Sequence, residues 1–462
     1  MISPPRSSPA APCRSERGRR AIASEEPIAV ERRGVALRPV FIIDGSRTPF
    51  LKARGKPGPF TPVDLAVQCG RPLLLRQPFP PDAFDQVILG CVSVIADEMN
   101  PARIAALRLG MGEAMPAFTV QINCGSGMQS IDIGFRYIQE GMADLVLAGG
   151  AESLSHSPLI YRRSAVDWYA ALAGARSLPA RLKVLAAWRP SMLKPVIGLE
   201  RGLTDPIVEL NMGQTAEVLA HVFKISRRDA DQYAVESQLK LARAQKEGHF
   251  AGELEPAFGR DGKCYDFDDG VRPDTSVESL AKLKPAFERP WGKVTPGNSS
   301  QITDGASWVI LASEAAVKKH GLTPRAVIVD SHWSALDPSI MGLGPVLCSA
   351  ALMARNGLHL GEVDLWELNE AFAAQVLSCL AAFADEVFCR DVLQLDGAVG
   401  TLDRGKLNVD GGAIGLGHPV GASGNRIVLH LVNALKRLGG KRGIATQCIG
   451  GGQGGAMLIE AV

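Results

Sequence analysis

Cys124 lies in Gln121-Ile-Asn-Cys-Gly-Ser-Gly-Met-Gln-Ser130, a turn of small residues that opens into a helical pattern. Met128, Ile131, Phe135 and Ile138 recur at helical spacing, Gly141 ends the run, and Asp144-Leu-Val-Leu-Ala-Gly-Gly150 reads as a buried strand with a glycine turn behind it. A cysteine at a helix start faces unpaired backbone N–H groups and the positive end of the helix dipole. Both favour thiolate and bring its pKa from about 8.5 towards neutrality. Such a thiolate does nucleophilic catalysis through a covalent intermediate. The same residue type also serves as a small core residue, since free cysteine is among the most buried types. Its meaning therefore depends on what else can reach it.

Three further segments carry groups that could. Trp366-Glu-Leu-Asn-Glu-Ala-Phe-Ala-Ala-Gln375 follows the strand-like Val363-Asp-Leu-Trp366 and places Asn369 just beyond it. Asn408-Val-Asp-Gly-Gly-Ala-Ile-Gly-Leu-Gly-His-Pro-Val-Gly-Ala-Ser-Gly424 holds His418 between a glycine and a proline. Gln447-Cys-Ile-Gly-Gly-Gly-Gln-Gly-Gly-Ala456 carries a second cysteine, Cys448, before glycines that allow unusual backbone angles and close approach. One histidine and two cysteines can all titrate near neutral pH once tuned, so the set can exchange protons.

Together the four segments resemble the thiolases, a family that makes or cleaves 3-ketoacyl-CoA by Claisen chemistry. The resemblance runs from about residue 38 to the end. It includes Gly45-Ser-Arg-Thr-Pro-Phe50, Gly149-Gly-Ala-Glu-Ser153, Met212-Gly-Gln-Thr-Ala-Glu217, Gly297-Asn-Ser-Ser-Gln-Ile-Thr-Asp-Gly305 and Met341-Gly-Leu-Gly-Pro345. It implies that Cys124 is the acyl-accepting nucleophile, His418 the base that takes its proton, and Cys448 the second acid/base, acting on the acetyl-CoA methyl. It also implies two oxyanion sites, one from His418 and a water held by Asn369, the other from the N–H groups of Cys124 and Gly450. Ser300 matches a pantetheine contact, and Met341 and Phe372 match pocket-lining positions. A turn serine usually bonds backbone, and the other two could be ordinary core. Asn211 stands where the short-chain biosynthetic branch often has a histidine that contacts the CoA thioester. Ala281-Lys-Leu-Lys-Pro-Ala-Phe287 and the basic residues in 176–201 look more like the β subunits of fatty-acid oxidation complexes, whereas Asn369 and Asn123-Cys-Gly-Ser-Gly127 have the free-standing form. CoA thioesters are then the substrates, with no metal and no tightly bound cofactor. A homodimer or homotetramer is implied, and a hydratase/dehydrogenase partner subunit is possible by the same resemblance.

The elements that must position these residues are those of a layered α/β protein, in which short apolar runs alternate with glycine turns and helical stretches. The chain has 462 residues, 46% of them hydrophobic, enough for two or three domains. An internal echo stands out. Gly125-Ser-Gly, a helix to Glu140 and a strand ending at Gly149-Gly150 are matched by Ala422-Ser-Gly424, a helix from Asn425 to Leu438, and Ile444-Ala-Thr-Gln447 running into Cys448. This suggests two copies of one unit facing a shared site. The expected fold class is a duplicated α/β/α/β/α layered fold with an inserted loop lobe. Residues 38–151 and 286–325 form the N-terminal domain, 152–285 the lobe and 326–462 the C-terminal domain.

Within the lobe, Leu178, Leu182 and Leu185 recur at helical spacing, and Pro179 and Pro190 confine the helix to about three turns. It reads as a lid packed over the substrate, or as a basic amphipathic helix for a membrane surface or partner. Residues 1–37, rich in Pro, Ser and Arg, read as a disordered extension, or as a transit peptide for an organelle matrix. A cytoplasmic location otherwise follows from nine scattered cysteines, never spaced Cys-x-x-Cys, which argue for free thiols in a reducing compartment. A net charge of +2 gives no field for nucleic acid. No run of 18 apolar residues could span a membrane.

Two rivals compete. A decarboxylating ketoacyl synthase would not need Cys448, because loss of CO₂ generates its carbanion. A catalytically silent, acyl-CoA-binding or complex-forming relative would lack one or more of Cys124, Asn369, His418 and Cys448, and all four are present.

Overall fold

The apolar runs assemble into one ten-stranded sheet in this computed structural model, which describes residues 37–462. The expected disordered extension lies, save for Leu37, outside the described residues. Across the sheet the strands run Leu365–Leu368, Arg442–Ile449, Gln453–Ala461, Ala326–Ala335, Val40–Arg47, Thr303–Ser313, Leu145–Ser153, Gln86–Gly90 and Ala117–Val120, with Leu51–Lys52 paired beside Thr303–Ser313.

The halves repeat each other. In one, Gln86–Gly90 lies parallel to Leu145–Ser153, which is antiparallel to Thr303–Ser313 and through it to Val40–Arg47. In the other, Leu365–Leu368 lies parallel to Arg442–Ile449, which is antiparallel to Gln453–Ala461 and through it to Ala326–Ala335. Even the irregularities match, since the register slips between Ile42 and Asp44 in one half and between Ile328 and Asp330 in the other. An extra residue at that point bends and twists a strand, so both copies carry the same bend at the same place in Ile-Ile-Asp and Ile-Val-Asp. The halves meet where Val40–Ile42 pairs with Ala326–Ile328.

The period-2 alternation of a strand places neighbouring side chains in different layers. Along Thr303–Ser313, Ala306, Trp308, Ile310 and Ala312 pack in the cluster that holds the helix Pro62–Leu75, while Val309 and Leu311 join the central cluster. That central cluster draws on both halves and on two helices, Ser126–Gln139 and Val420–Leu438. A third cluster covers the other half with the helices Gly344–Arg355 and Ala373–Ala384. Helix, sheet, central helices, sheet and helix therefore follow in layers. Pro338–Arg355 has the length and apolar composition of a membrane span, yet 61% of it is buried, and it packs on the sheet.

The second central helix begins at Val420 rather than at the expected Asn425. Glycines at 421 and 424 read as loop, but each sits where another backbone leaves no room for a Cβ. A Cβ on Gly127 would lie 2.7 Å from Gly421 O and 2.8 Å from Asn425 N, and one on Gly424 would lie 2.6 Å from Met128 N. The third residue of each Ser-Gly echo is thus the point where the central helices touch.

Arg38–Val462 form a single compact unit, so the divisions at 151/152, 285/286 and 325/326 stand as our proposed description of two halves and a lobe. Lobe helices Met212–Val222 and Arg227–Glu247 pack against Ala373–Ala384. The expected lid does not close on the body. Helix Leu178–Ala186 has no buried residue, and Leu178, Leu182 and Leu185 are all at least half exposed. The helix packs on its neighbour Arg163–Gly174, where Trp168 Nε1–H donates to Val184 O at 2.8 Å.

Candidate active site

Four turns converge through main-chain and amide hydrogen bonds. Asn123, in the left-handed region at φ 45°, sends its Nδ2 to Gly450 O at 2.8 Å, which ties the Cys124 turn to the Cys448 turn. Asn369 N–H donates to Thr446 O at 2.9 Å, fixing the Asn369 turn beside the strand that carries Cys448. Ser300 N–H donates to Ala371 O and His418 N–H to Gln301 O, both at 2.9 Å. The segment 298–301 therefore bridges the Asn369 turn and His418. Beyond Cys448, Gly451 and Gly452 take positive φ of 91° and 78°, and a Cβ on Gly452 would lie 2.2 Å from Leu336 O, so only glycine fits there.

Cys124 stands before the helix Ser126–Gln139, whose entry is held by Ser126 Oγ donating to Asn123 O and accepting from Ile122 N–H. The expected fall of its pKa towards neutrality does not occur. Burial pushes the Cys124 thiol up, and the N–H groups of Gly450 and of Cys124 itself oppose this only in part. Removing a charge from water costs more here than a helix end returns. Cys448 is pushed up further, by burial first and then by neighbouring Cys124 and Cys379. Both cysteines rest as thiols.

His418 supplies the complementary group. Burial, then the charge of Arg426, lower its pKa to about 4, so it is neutral at pH 7. Its Nδ1 lies 2.6 Å from Ser423 Oγ, whose hydroxyl donates to Pro419 O at 3.1 Å. A hydroxyl spent on the carbonyl accepts from Nδ1–H, which leaves the lone pair on Nε2. That Nε2 is buried with no partner, as are both Nδ2 and Oδ1 of Asn369. Buried polar atoms are nearly always bonded, so unpartnered atoms on two residues of one site mark a place for a substrate oxygen or water.

The remaining expected residues divide. Met341 and Cys448 share a small apolar cluster with Ala371, and Met212 and Phe372 pack against it. Asn211 is the cap of helix Met212–Val222, accepting from Gly213 N–H at 3.0 Å while Gln214 Oε1 accepts from Asn211 N–H at 2.9 Å. Ser300 lies in the bridging segment with its N–H engaged.

Sequence reasoning missed Ser423, Glu152 and Glu370. Ser423 was legible as a hydroxyl five residues beyond His418. Glu152, pushed up to about 7 by burial, accepts from the N–H groups of Val92, Ser93 and Gly421 at 2.9–3.1 Å. No local spacing could have joined those three.

Residues 40–315 match the model of the thiolase N-terminal domain, and residues 322–461 that of the thiolase C-terminal domain. The chain belongs to the thiolase family. It is 40% identical over 428 residues to the mitochondrial 3-ketoacyl-CoA thiolase of Bos taurus, covering 92% of this chain and 98% of that one. It is 39% identical over 430 residues to the β-ketoadipyl-CoA thiolase of Pseudomonas aeruginosa, covering 92% and 100%. The crystal structure of human mitochondrial 3-ketoacyl-CoA thiolase in complex with CoA superposes with a TM-score of 0.79 at 39% identity, covering 92% and 99%. This thiolase is an acyltransferase with the duplicated layered fold, and its chemistry is thiolytic cleavage and Claisen condensation.

Proposed function

We propose that this thiolase cleaves 3-ketoacyl-CoA with CoA, and runs the reverse condensation, by a ping-pong route through acyl-Cys124. The observation that carries the reading is a neutral histidine, its buried Nε2 without a partner, on a turn that hydrogen bonds link through 298–301 and the Asn369 turn to the strand of Cys448 and so to the Cys124 turn. In cleavage, the Cys124 proton passes to His418 Nε2 as sulfur attacks the 3-keto carbon. Negative charge on that oxygen is met by the N–H groups of Cys124 and Gly450. The C2–C3 bond then breaks, its electron pair forms the acetyl-CoA enolate, and the Cys448 thiol protonates that carbon. Enolate charge is met by His418 and a water on Asn369, where a single donor is typically worth about 10²–10³ in rate. The thiol of a second CoA takes the acyl group and Cys124 is restored.

Ser300, Met341, Phe372 and Asn211 are assigned to the acyl-pantetheine path, supported by Met341 and Phe372 in the cluster around Cys448, by the Ser300 N–H bond to Ala371 O of that cluster, and by Asn211 at the start of the Met212 helix. A homodimer or homotetramer is supported by the edge strand Ala117–Val120 and by the apolar side chains left outward on 159–197; light scattering behind a sizing column tests it. The same hairpin leaves a partner subunit or an anionic membrane as a further assignment for 176–201, and flotation with anionic vesicles separates these. Free thiols among the described residues support a reducing compartment, cytoplasm or organelle matrix.

The deciding assay mixes 3-ketoacyl-CoA of C4 to C16 with CoA and follows enolate absorbance. Decay is expected. None at any chain length, with Cys124 verified as reduced, would sink the reading.

A further inference from the structure

Glu370 follows Asn369 directly, and its side chain turns away from the site into the protein, where it is 1% exposed. Its partners come from three separate segments. Oε1 accepts from Tyr233 OH at 2.9 Å and from Asn408 Nδ2 at 3.0 Å, and Oε2 accepts from Ser237 Oγ at 2.6 Å and from Ile414 N–H at 3.2 Å. Tyr233 and Ser237 lie on the lobe helix Arg227–Glu247, and Ile414 lies on the short helix Ala413–Leu416 that leads to His418. A Cβ on Gly412 would lie 2.5 Å from Glu370 Cδ, so the chain is bare where the carboxylate crosses it.

All four donors are neutral. A carboxylate buried among neutral donors is costly to desolvate, yet a hydrophobic side chain here would strand four buried donors. What only a carboxylate provides is two oxygens that each hold two donors from different segments. One is the backbone carrying His418, and the peptide preceding Glu370 carries Asn369. We propose that Glu370 is a positioning residue that sets the register of Asn369 against His418, so that their unpartnered side-chain atoms converge on one substrate oxygen. This rests on the assignment of Asn369 and His418 to the enolate oxyanion site.

The test is a double-mutant cycle in thiolysis by the full chain, using Glu370→Gln, Asn369→Ala and the pair. Gln keeps the volume but turns an NH₂ towards donors. Glu370→Gln is expected to lower kcat about 10²-fold, a loss of the size seen for a single oxyanion donor, with KM for the acyl-CoA within about threefold, since the defect lies in the transition state. In the Asn369→Ala background the same change should cost less than about fivefold, because residues acting as a unit are non-additive. A merely structural role predicts losses that multiply, and multiplicative losses, or a kcat within threefold of wild type, would overturn the proposal. Should Glu370→Gln show no cooperative unfolding transition, Ser237→Ala enters the cycle instead. It is expected to cost about 3–10-fold in kcat with the same non-additivity, and additivity there overturns the proposal equally. Wild-type enzyme without thiolysis would strike the thiolase reading itself, whereas active wild type with additive variants strikes only the role of Glu370.

Discussion

Cys124 and His418 are each set against ionisation, the thiol by burial and the imidazole by burial beside Arg426. On the proposed route neither charge exists until the proton moves, so nucleophilicity is made during the encounter rather than stored. Iodoacetamide alkylation of Cys124 at pH 7 should therefore slow at least tenfold in His418→Ala, with intact-protein mass spectrometry as the readout; equal rates would show a free thiolate. His418 also leaves a mark on stability. Its pKa is about 4 folded against about 6.5 unfolded, so between these values the unfolded chain binds a proton that the folded chain does not. Stability then rises with pH through this window and is lost as pH falls through it, by up to about 3 kcal/mol. The urea midpoint should fall from pH 6.5 to 4.5 in wild type and fall visibly less in His418→Asn. Cys448→Ala should still form acyl-Cys124 from acetyl-CoA but fail to condense, a split that quenched-flow mass spectrometry resolves. Loss of acylation as well would move Cys448 from proton transfer to positioning.

At the level of elements, the decisive contact is backbone on backbone where the central helices cross. Gly127→Ala forces a Cβ to 2.7 Å from Gly421 O, and overpacking of this kind costs about 1–3 kcal/mol. Denaturant unfolding should show that loss, with kcat falling as well, because the displaced helices begin just after Cys124 and just after His418. This crossing also explains what the sequence made legible. Strand Leu145–Ser153 and helix Ser126–Gln139 follow from local periodicity and are found where expected. The four segments of the proposed site were legible as well, because each holds its candidate residues within a few positions. The start of the second central helix was not legible, because Gly421 and Gly424 signal a loop by propensity and are helical only where another backbone excludes a Cβ. Glu370 and Glu152 were hidden for a related reason, since their partners lie 38 to 137 residues and 59 to 269 residues away.

Across the whole molecule, the lobe is bolted to the body by buried charge. Arg47 on the first strand pairs with Glu253 and Asp268 of the lobe at 2.8 Å. His430 on the second central helix lies between Glu253 at 3.0 Å and Asp410 at 3.2 Å. Despite burial, these carboxylates raise His430 to about 10. Its contribution is thus fully present below about pH 6.5 and is lost as pH rises towards 10, opposite in sign to that of His418. His430→Gln should destabilise by about 3–5 kcal/mol, because it leaves buried carboxylates short of a cation, and should flatten the alkaline loss; limited proteolysis at pH 7 should then open the lobe first. The reciprocal glycine contact has a different reach. Because main chain meets main chain where the two helices cross, the spacing between the Cys124 turn and the His418 turn is set by peptide geometry more than by side-chain volume. Core residues on every other face can therefore change in size and shape, with stability recording the change, while the spacing of those two turns holds.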